Sequence, residues 1–208
     1  MNQNQTNDLQ NSESNFNSNE AQIQKPTPVD REVQWNKKQT IVSKIDLFGN
    51  ILSVNDAFED VSGYLEHEIK GKSFDVLSHP EMPTVINKLL WENVKNEKRF
   101  FCIVKNLAKS GRYYWVLVDF EYVKESNGNV VSYIYRNKDI SQSVIANHIQ
   151  PLYRKLHLIE QASGLETSKQ FLVGFLEDIG QSYVDYITKL IANDIQDDNE
   201  VEGSWWHL

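Results

Sequence analysis

The sequence has little cysteine, no long apolar run and no excess of basic residues. Cys102 is the only cysteine among 208 residues, so no disulfide can form within the chain and a cytoplasmic location is expected. No run of about 18 uncharged apolar residues occurs, and the N-terminus lacks a signal peptide's basic start, so we expect a soluble protein without membrane insertion. The 21 basic and 29 acidic residues give a net charge of −8, which disfavours nucleic acid as a partner.

Catalytic and phosphate-binding motifs are also missing. The five histidines form no HExxH or Cys/His pattern, and the sequence has neither a GxxxxGK[ST] loop nor a GxGxxG loop. Only about 65 residues follow the last predicted strand, which is short of the usual domain size. The sequence therefore predicts no enzyme activity, no metal centre and no output domain.

The middle of the chain predicts an α+β domain. "TIVSKID" and "ILSV" alternate as strands do, on either side of a turn at "DLFGN". Two short helices follow, the first capped by Asn55 or Asp56, and a longer helix begins near Pro83. Three more strands, "RFFCIVKNL", "YYWVLVDFEYV" and "VVSYIYRNKDI", are joined by turns that contain glycine. This order predicts a five-stranded antiparallel sheet with short helices on one face and a pocket between the layers.

Composition and pattern divide the chain into four segments. Residues 1–38 are an Asn-, Gln- and Ser-rich tail with its lead-in, and the first 24 of them are predicted to be disordered. Residues 39–142 form the α+β domain. Residues 143–196 form a helical region for signal transfer or dimerisation, and residues 197–208 form an acidic tail that ends in two tryptophans.

The C-terminal region predicts two helices. Pro151 removes a backbone donor from the first and predicts a kink or a split there. Gly164 separates it from a second helix over about Ser168–Ile195, whose apolar band is too wide to face water on all sides. That helix therefore either folds back on the domain or docks a partner, such as a second copy of the chain. Trp205 and Trp206 leave the same two alternatives open.

Six short motifs occur in order between residues 39 and 153. They are "DLFGNILSVNDAF", "VSGYLEHEIKGK", "HPEMP", "VKN", "SGRYYWV" and "KDIS". Together they resemble the PAS sensor domain of bacterial aerotaxis and energy-taxis receptors. The resemblance implies the PAS fold, a five-stranded antiparallel sheet with short helices on one face, followed here by the C-terminal helices. It also implies a sensor and not an enzyme.

The resemblance further implies a non-covalently bound FAD that reports the redox state of electron transport. Positions carried over by motif place Asn55, His79, Trp91 and Asn106 in the pocket, and Phe100 adds an aromatic wall. A flavin ring needs flat apolar walls and a few amide or imidazole groups at its edge, which these residue types supply. The amide of Asn106 offers either a donor or an acceptor, which matters when reduction protonates the ring.

The chain departs from the family pattern at four positions. Ser78 stands where arginine is usual, Asn87 where an aromatic residue is usual, and Leu107 and Ala108 where two basic residues are usual. A pyrophosphate group favours nearby cations. Three cations are candidates to replace the missing ones: Lys105, Lys109 and Arg112. The departures favour an alternative interpretation, a PAS interaction adaptor whose pocket is empty or holds a haem or a small metabolite.

A sensor without an output domain has to pass its signal to another chain. In the aerotaxis receptors the PAS domain is followed by membrane and signalling segments, and this sequence shows neither. The resemblance therefore implies a stand-alone soluble protein that contacts a membrane-bound, methyl-accepting chemoreceptor and reaches the inner membrane face through it. The helices after Ser141 are the expected route of the signal and a candidate homodimer interface.

Overall fold

The computed structural model describes residues 24–204, with side chains to residue 194. The segment predicted to be disordered, apart from Gln24, lies outside the described residues. So do Trp205 and Trp206, so their proposed docking role stays a prediction.

Five strands form one antiparallel sheet, as predicted. The strands are β1 (Ile41–Ile45), β2 (Ile51–Val54), β3 (Cys102–Leu107), β4 (Tyr113–Lys124) and β5 (Val130–Lys138). Their order across the sheet is β2-β1-β5-β4-β3, so β2 and β3 are the edges. The turn between β1 and β2 is fixed by Asp46, whose Oδ1 accepts from the N–H groups of Phe48 and Asn50, both at 2.8 Å. Pairing of β1 with β5 joins this hairpin to the meander of β3, β4 and β5.

Short helices between β2 and β3 cover one face of the sheet. They are α1 (Asp56–Ser62), α2 (Glu66–Ile69), a 3₁₀ turn (Phe74–Leu77) and α3 (Thr84–Lys95). Asn55 caps α1, because its Oδ1 accepts from the Phe58 N–H at 3.0 Å. Gly63 ends α1 with a φ of +72°. The buried residues of α3 recur at helical spacing, so one face of this helix belongs to the hydrophobic core.

Four helices follow the sheet. They are α4 (Gln142–Val144), α5 (Gln150–Ser163), α6 (Leu165–Asp178) and α7 (Tyr183–Ser204). Residues Ile145–Ile149 form a π turn between α4 and α5, in which the Gln150 N–H bonds to the Ile145 carbonyl. Pro151 has no N–H to continue the ordinary helical ladder, and the π turn lies directly before it. The helical run is otherwise continuous from Gln142 to Ser163, so the predicted split is not observed. Within residues 24–204, no helix combines the length and the apolar character that crossing a membrane requires.

The prediction of one continuous helix over Ser168–Ile195 is wrong. Gly180 has a φ of +63°, and the chain turns there after α6. Ser182 then starts α7, since its Oγ accepts from the Asp185 N–H at 3.2 Å. Apolar spacing continues across the break, which is why periodicity alone suggested a single helix. The helix α7 also continues to Ser204, past the predicted boundary of the helical region at residue 196.

The C-terminal helices cover the free edge of β3. Tyr153 of α5 donates to the Ile103 carbonyl at 2.6 Å, and its hydroxyl is 2.5 Å from that of Tyr183 on α7. Phe100, just before β3, stacks on Tyr183 with ring centroids 5.7 Å apart. Of the two alternatives for the second predicted helix, the described residues adopt the first and fold back on the domain.

Candidate ligand cavity

A cavity of about 950 Å³ lies between α3 and the sheet. The strand register places Asn106 of β3, Val118 of β4 and Asn137 of β5 on the same face. Trp91 of α3 lies opposite, with its ring centroid 6.4 Å from that of Tyr135. Small-molecule sites typically measure about 300–1,000 Å³, so this cavity has room for a ligand of several fused rings.

Two buried amides in the cavity wall lack a hydrogen-bond partner. Within the described residues, neither Nδ2 of Asn106 nor Oδ1 of Asn137 has a partner at hydrogen-bond distance, although the two residues are only 6% and 2% exposed. The Asn106 amide still acts on the hydroxyl of Tyr114, its neighbour on β4: burial raises the pKa of Tyr114, and the amide lowers it by a smaller amount. An unpaired buried polar atom costs about 1–3 kcal/mol, so such atoms usually have a ligand or a water as partner. One amide offers a donor and the other an acceptor to the occupant of the cavity.

The two amides mark different ends of the cavity. Strands β3 and β5 are separated by β4, so they lie two strand spacings, about 10 Å, apart. The partners of the two amides on β4, Tyr114 and Val118, are four residues apart, which adds about 13 Å along the strand. A ligand that contacts both Asn106 and Asn137 is therefore elongated and lies across the sheet.

Aromatic side chains form flat walls. Trp91 packs on the turn between β1 and β2, where a Cβ added to Gly49 would lie 3.5 Å from the indole. The ring centroid of Tyr135 lies 4.7 Å from that of Phe74 and 3.9 Å from that of Phe120. Burial raises the pKa of Tyr135 well above its usual value. The walls are therefore packed in place and uncharged, as a planar apolar ligand requires.

His79 borders the cavity as a neutral ring. It is 4% exposed, and its Nδ1 accepts from the Glu81 N–H at 3.2 Å, so the ring proton lies on Nε2. Burial, followed by the nearby charge of Lys105, lowers the pKa of His79 to about 4. The imidazole is therefore uncharged at neutral pH. Among the described residues, no three His, Cys, Asp or Glu side chains group as metal ligands.

Of the three cations proposed to replace the missing ones, Lys105 lines the cavity, whereas Lys109 and Arg112 do not; both lysines are paired with carboxylates. Lys105 Nζ lies 2.6 Å from Glu81 Oε2, and Lys109 Nζ lies 2.6 Å from Glu68 Oε1. The hydrogen bond from Lys105 lowers the pKa of Glu81, which keeps that carboxylate charged. Three other lysines also line the cavity: Lys25, Lys88 and Lys95.

Burial explains two of the departures from the family pattern. Leu107 and Ala108 are 0% and 2% exposed, and a basic side chain there would have to be buried at considerable cost. At Ser78 the main chain instead forms an antiparallel bridge with Asn106. The segment that carries Ser78 and His79 is thereby fixed against β3 at the cavity.

Asn55 and Phe100 lie outside the residues that line the cavity. The amide of Asn55 accepts from the Val42 N–H and donates to the Thr40 carbonyl, both at 2.9 Å, besides capping α1. Asn55 therefore fixes α1 to β1. Phe100 instead contacts Tyr183 of α7. The cavity brings together the other three predicted residues: His79, Trp91 and Asn106.

Sequence reasoning missed two groups of cavity residues. Tyr135 and Asn137 alternate along β5, and an asparagine at an inward strand position was a signal that could have been used. The second group comes from the lead-in before the predicted domain and had no comparable signal. It consists of Lys25, Pro26 and Pro28.

Residues 51–137 match the family model described as the PAS fold. The matched region runs from the first residue of β2 almost to the end of β5, and includes α3 and both unpartnered amides. Over these residues the chain therefore has the PAS fold, and the prediction of that fold is confirmed.

Similar proteins include the aerotaxis receptor of Escherichia coli strain K12. The chain is 32% identical to it over 120 residues, which are 57% of this chain and 23% of the receptor. The chain thus spans less than a quarter of that relative. A PAS domain from Colwellia psychrerythraea is 22% identical, with a TM-score of 0.45 over 50% of this chain and 87% of that one. A light-oxygen-voltage domain studied with a flavin analogue is 19% identical, with a TM-score of 0.49 over 56% and 89%.

Proposed function

We propose that this protein is a PAS redox sensor that binds FAD in the cavity and relays its state to a separate membrane-bound chemoreceptor. The receptor would be of the methyl-accepting type, and the response would be aerotaxis or energy taxis. The observation that carries the proposal is the pair of unpartnered amides, on Asn106 and Asn137, in a cavity with flat aromatic walls. The partial similarity to an aerotaxis receptor supports the link to taxis.

The residues present fit a flavin in chemical type. If a flavin is bound, Asn106 would donate to one polar edge, Asn137 would accept from another, and Trp91 would supply an aromatic wall. A bound flavin supplies reversible uptake of electrons and protons at its ring edge. A side-chain amide has both a donor and an acceptor end. The Asn106 amide can therefore rotate and present its other end when the protonation of the ring edge changes. His79 is neutral beside it and adds one imidazole N–H.

Two walls of the cavity are tied to the C-terminal helices, which supports the relay. Strand β3 carries Asn106, and its Ile103 carbonyl is held by Tyr153 of α5. Glu160, also on α5, accepts from the Thr84 and Val85 N–H groups at the start of α3, both at 2.8 Å. A carboxylate at a helix N-terminus is stabilising, so α5 contacts α3 as well as β3. A shift of either wall therefore changes the contacts of α5 and biases the equilibrium between two positions of the helices.

The visible spectrum of the purified full chain tests the first step. We expect flavin absorption at about 450 nm and one extractable FAD per chain. Asn106→Leu and Asn137→Leu should each lose most of the flavin, since each leaves a polar edge of the ring unpaired. Ser132→Ala is the matched control, because its buried hydroxyl also lacks a partner but lies outside the cavity lining. A colourless protein that takes up no added FAD would refute flavin binding.

Capture of a chemoreceptor tests the relay. The full chain, oxidised or chemically reduced, is mixed with membranes from the source cells, and bound receptor is identified by mass spectrometry. We expect a methyl-accepting receptor whose yield differs between the two redox states. Equal yields would contradict redox signalling, and no receptor at all would contradict the taxis role.

The second candidate function is a PAS interaction adaptor without a flavin. The buried Leu107 and Ala108, where the family pattern has cations, favour it. In that case the cavity is empty or holds a haem or a small metabolite. A haem absorption band, or a colourless protein that still captures a partner, would support this candidate over the first.

A further inference from the structure

The segment before the PAS domain lies directly on its sheet. Residues 25–33, called here the N-terminal strap, run beside the start of β4. The Val29 N–H bonds to the Gly111 carbonyl at 2.7 Å, the Tyr113 N–H to the Arg31 carbonyl at 3.1 Å, and the Val33 N–H to the Tyr113 carbonyl at 2.8 Å. A parallel bridge between Glu32 and Tyr113 completes the contact. Main-chain hydrogen bonds to Gly111 and Tyr113 thus hold the strap at the start of β4.

Gly111 allows the strap to approach the turn between β3 and β4. A Cβ added to Gly111 would lie 2.3 Å from the Thr27 carbonyl oxygen and 3.4 Å from Cγ2 of Val29. The first distance is far inside van der Waals contact, so a side chain at this position would push the strap away. The strap can therefore pack against the turn between β3 and β4 only because Gly111 has no side chain.

The same segment forms one wall of the cavity. Lys25, Pro26 and Pro28 line it, and the Lys25 ammonium lies 3.5 Å from the Ser78 carbonyl. Asp30 of the strap is close enough to His79 to act on its charge. The strap therefore contacts the segment that contains Ser78 and His79, which in turn bridges to β3.

We propose that the N-terminal strap is a removable wall of the ligand site, through which the ligand enters and leaves. Lys25, Pro26 and Pro28 are ligand-contacting residues of that wall. The two prolines restrict the unfastened chain to few conformations, so the strap recloses readily. Its release breaks the main-chain bonds to the turn and to Tyr113, the Lys25–Ser78 contact and the packing of Val33, and leaves the pairing of the five strands intact. The proposal rests on the proposed function for the identity of the ligand alone.

Two matched glycine substitutions test the strap. Gly111 and Gly128 occupy equivalent positions in turns with the same pattern of hydrogen bonds, with φ of +80° and +86°. Alanine at either position strains the backbone alike, but a Cβ on Gly128 has nothing within 4 Å. Only Gly111→Ala should displace the strap.

Dissociation of riboflavin is the first measurement, made on the full chain by fluorescence after dilution into a flavin scavenger. We expect Gly111→Ala to release riboflavin at least tenfold faster than Gly128→Ala, which should match the wild type. Pro28→Gly loosens the strap without changing the turn and should shift the rate in the same direction. Equal rates in the two alanine variants would overturn the proposal.

A second measurement separates failure of the strap from failure of flavin binding. If no variant binds either riboflavin or FAD, the proposed function fails, and 1-anilinonaphthalene-8-sulfonate, a dye that fluoresces on apolar surfaces, replaces the flavin as a probe of access. We then expect Gly111→Ala to bind more dye than Gly128→Ala, and the amides of Val29 and Val33 to exchange hydrogen faster. Equal dye binding and unchanged exchange would refute the removable wall, whatever the ligand. Circular dichroism checks that both variants are folded.

Discussion

Removal of one hydroxyl, by Tyr153→Phe, should loosen the C-terminal helices from the PAS domain. The hydroxyl is buried, donates to the Ile103 carbonyl at 2.6 Å and lies 2.5 Å from the hydroxyl of Tyr183. Phenylalanine keeps the ring and its packing on Trp115, whose centroid is 6.0 Å away. The substitution therefore tests the hydrogen bonds apart from the apolar contacts.

The structure sets the size of the effect. A buried carbonyl left unpaired costs about 2 kcal/mol, and the Tyr183 hydroxyl loses a partner worth about 1 kcal/mol, so we expect a loss of about 3 kcal/mol. In urea, with a slope of about 2–3 kcal/mol per molar, the unfolding midpoint should fall by about 1 M. Hydrogen exchange of the Ile103 region should accelerate as well.

Tyr186→Phe is the control for this prediction. Tyr186 also lies on α7 and packs on Phe175 with centroids 5.4 Å apart, but its hydroxyl has no hydrogen bond to the described residues. We expect its free energy of unfolding to change by less than about 0.5 kcal/mol. If Tyr153→Phe were no more destabilising than Tyr186→Phe, the tyrosine pair would not anchor the helices, and the proposed relay would lose that connection.

Three further predictions follow from single contacts. Glu160→Gln should lower stability by about 1 kcal/mol, seen as a lower urea midpoint, and an unchanged midpoint would contradict the contact between α5 and α3. Asn55→Ala should cost about 2 kcal/mol or more in thermal unfolding while leaving flavin content per folded chain unchanged; selective flavin loss would instead place Asn55 at the ligand. The neutral His79 makes the folded chain bind fewer protons than the unfolded one between pH 6.5 and about 4, so its contribution to stability is full above pH 6.5 and is lost as pH falls. The free energy of unfolding of His79→Asn, measured in urea, should therefore fall less than that of the wild type between pH 6.5 and about 4. Equal decreases in the two proteins would contradict a buried neutral ring.

The sheet and α3 were predictable because local patterns agree with tertiary packing. Alternation identified the first two strands, apolar and aromatic runs identified the other three, and glycine with polar residues identified their turns. The break at Gly180 was missed because apolar spacing continues across it, and a glycine alone does not reveal that its φ is positive. The position of the π turn depends on Pro151 together with the packing of the flanking helices, which sequence does not contain.

The cavity was predictable only in part. His79, Trp91 and Asn106 follow from motif positions, whereas Asn55, also carried over by motif, and Phe100, proposed as an aromatic wall, lie elsewhere. A capping asparagine and a pocket asparagine look alike in sequence, because both follow or end a strand. The contribution of Lys25 depends on contact between segments more than 50 residues apart, which no local pattern records.

The covered edge of β3 has a consequence for any movement of the C-terminal helices. An edge strand offers unpaired main-chain groups to other chains and invites aggregation. Here Tyr153 of α5 bonds to one of those groups, α7 packs beside β3, and Ser78 bridges to Asn106. A signal that moves the C-terminal helices away from β3 therefore exposes unpaired main-chain groups of an edge strand. We expect that state to aggregate unless another polypeptide pairs with the exposed edge.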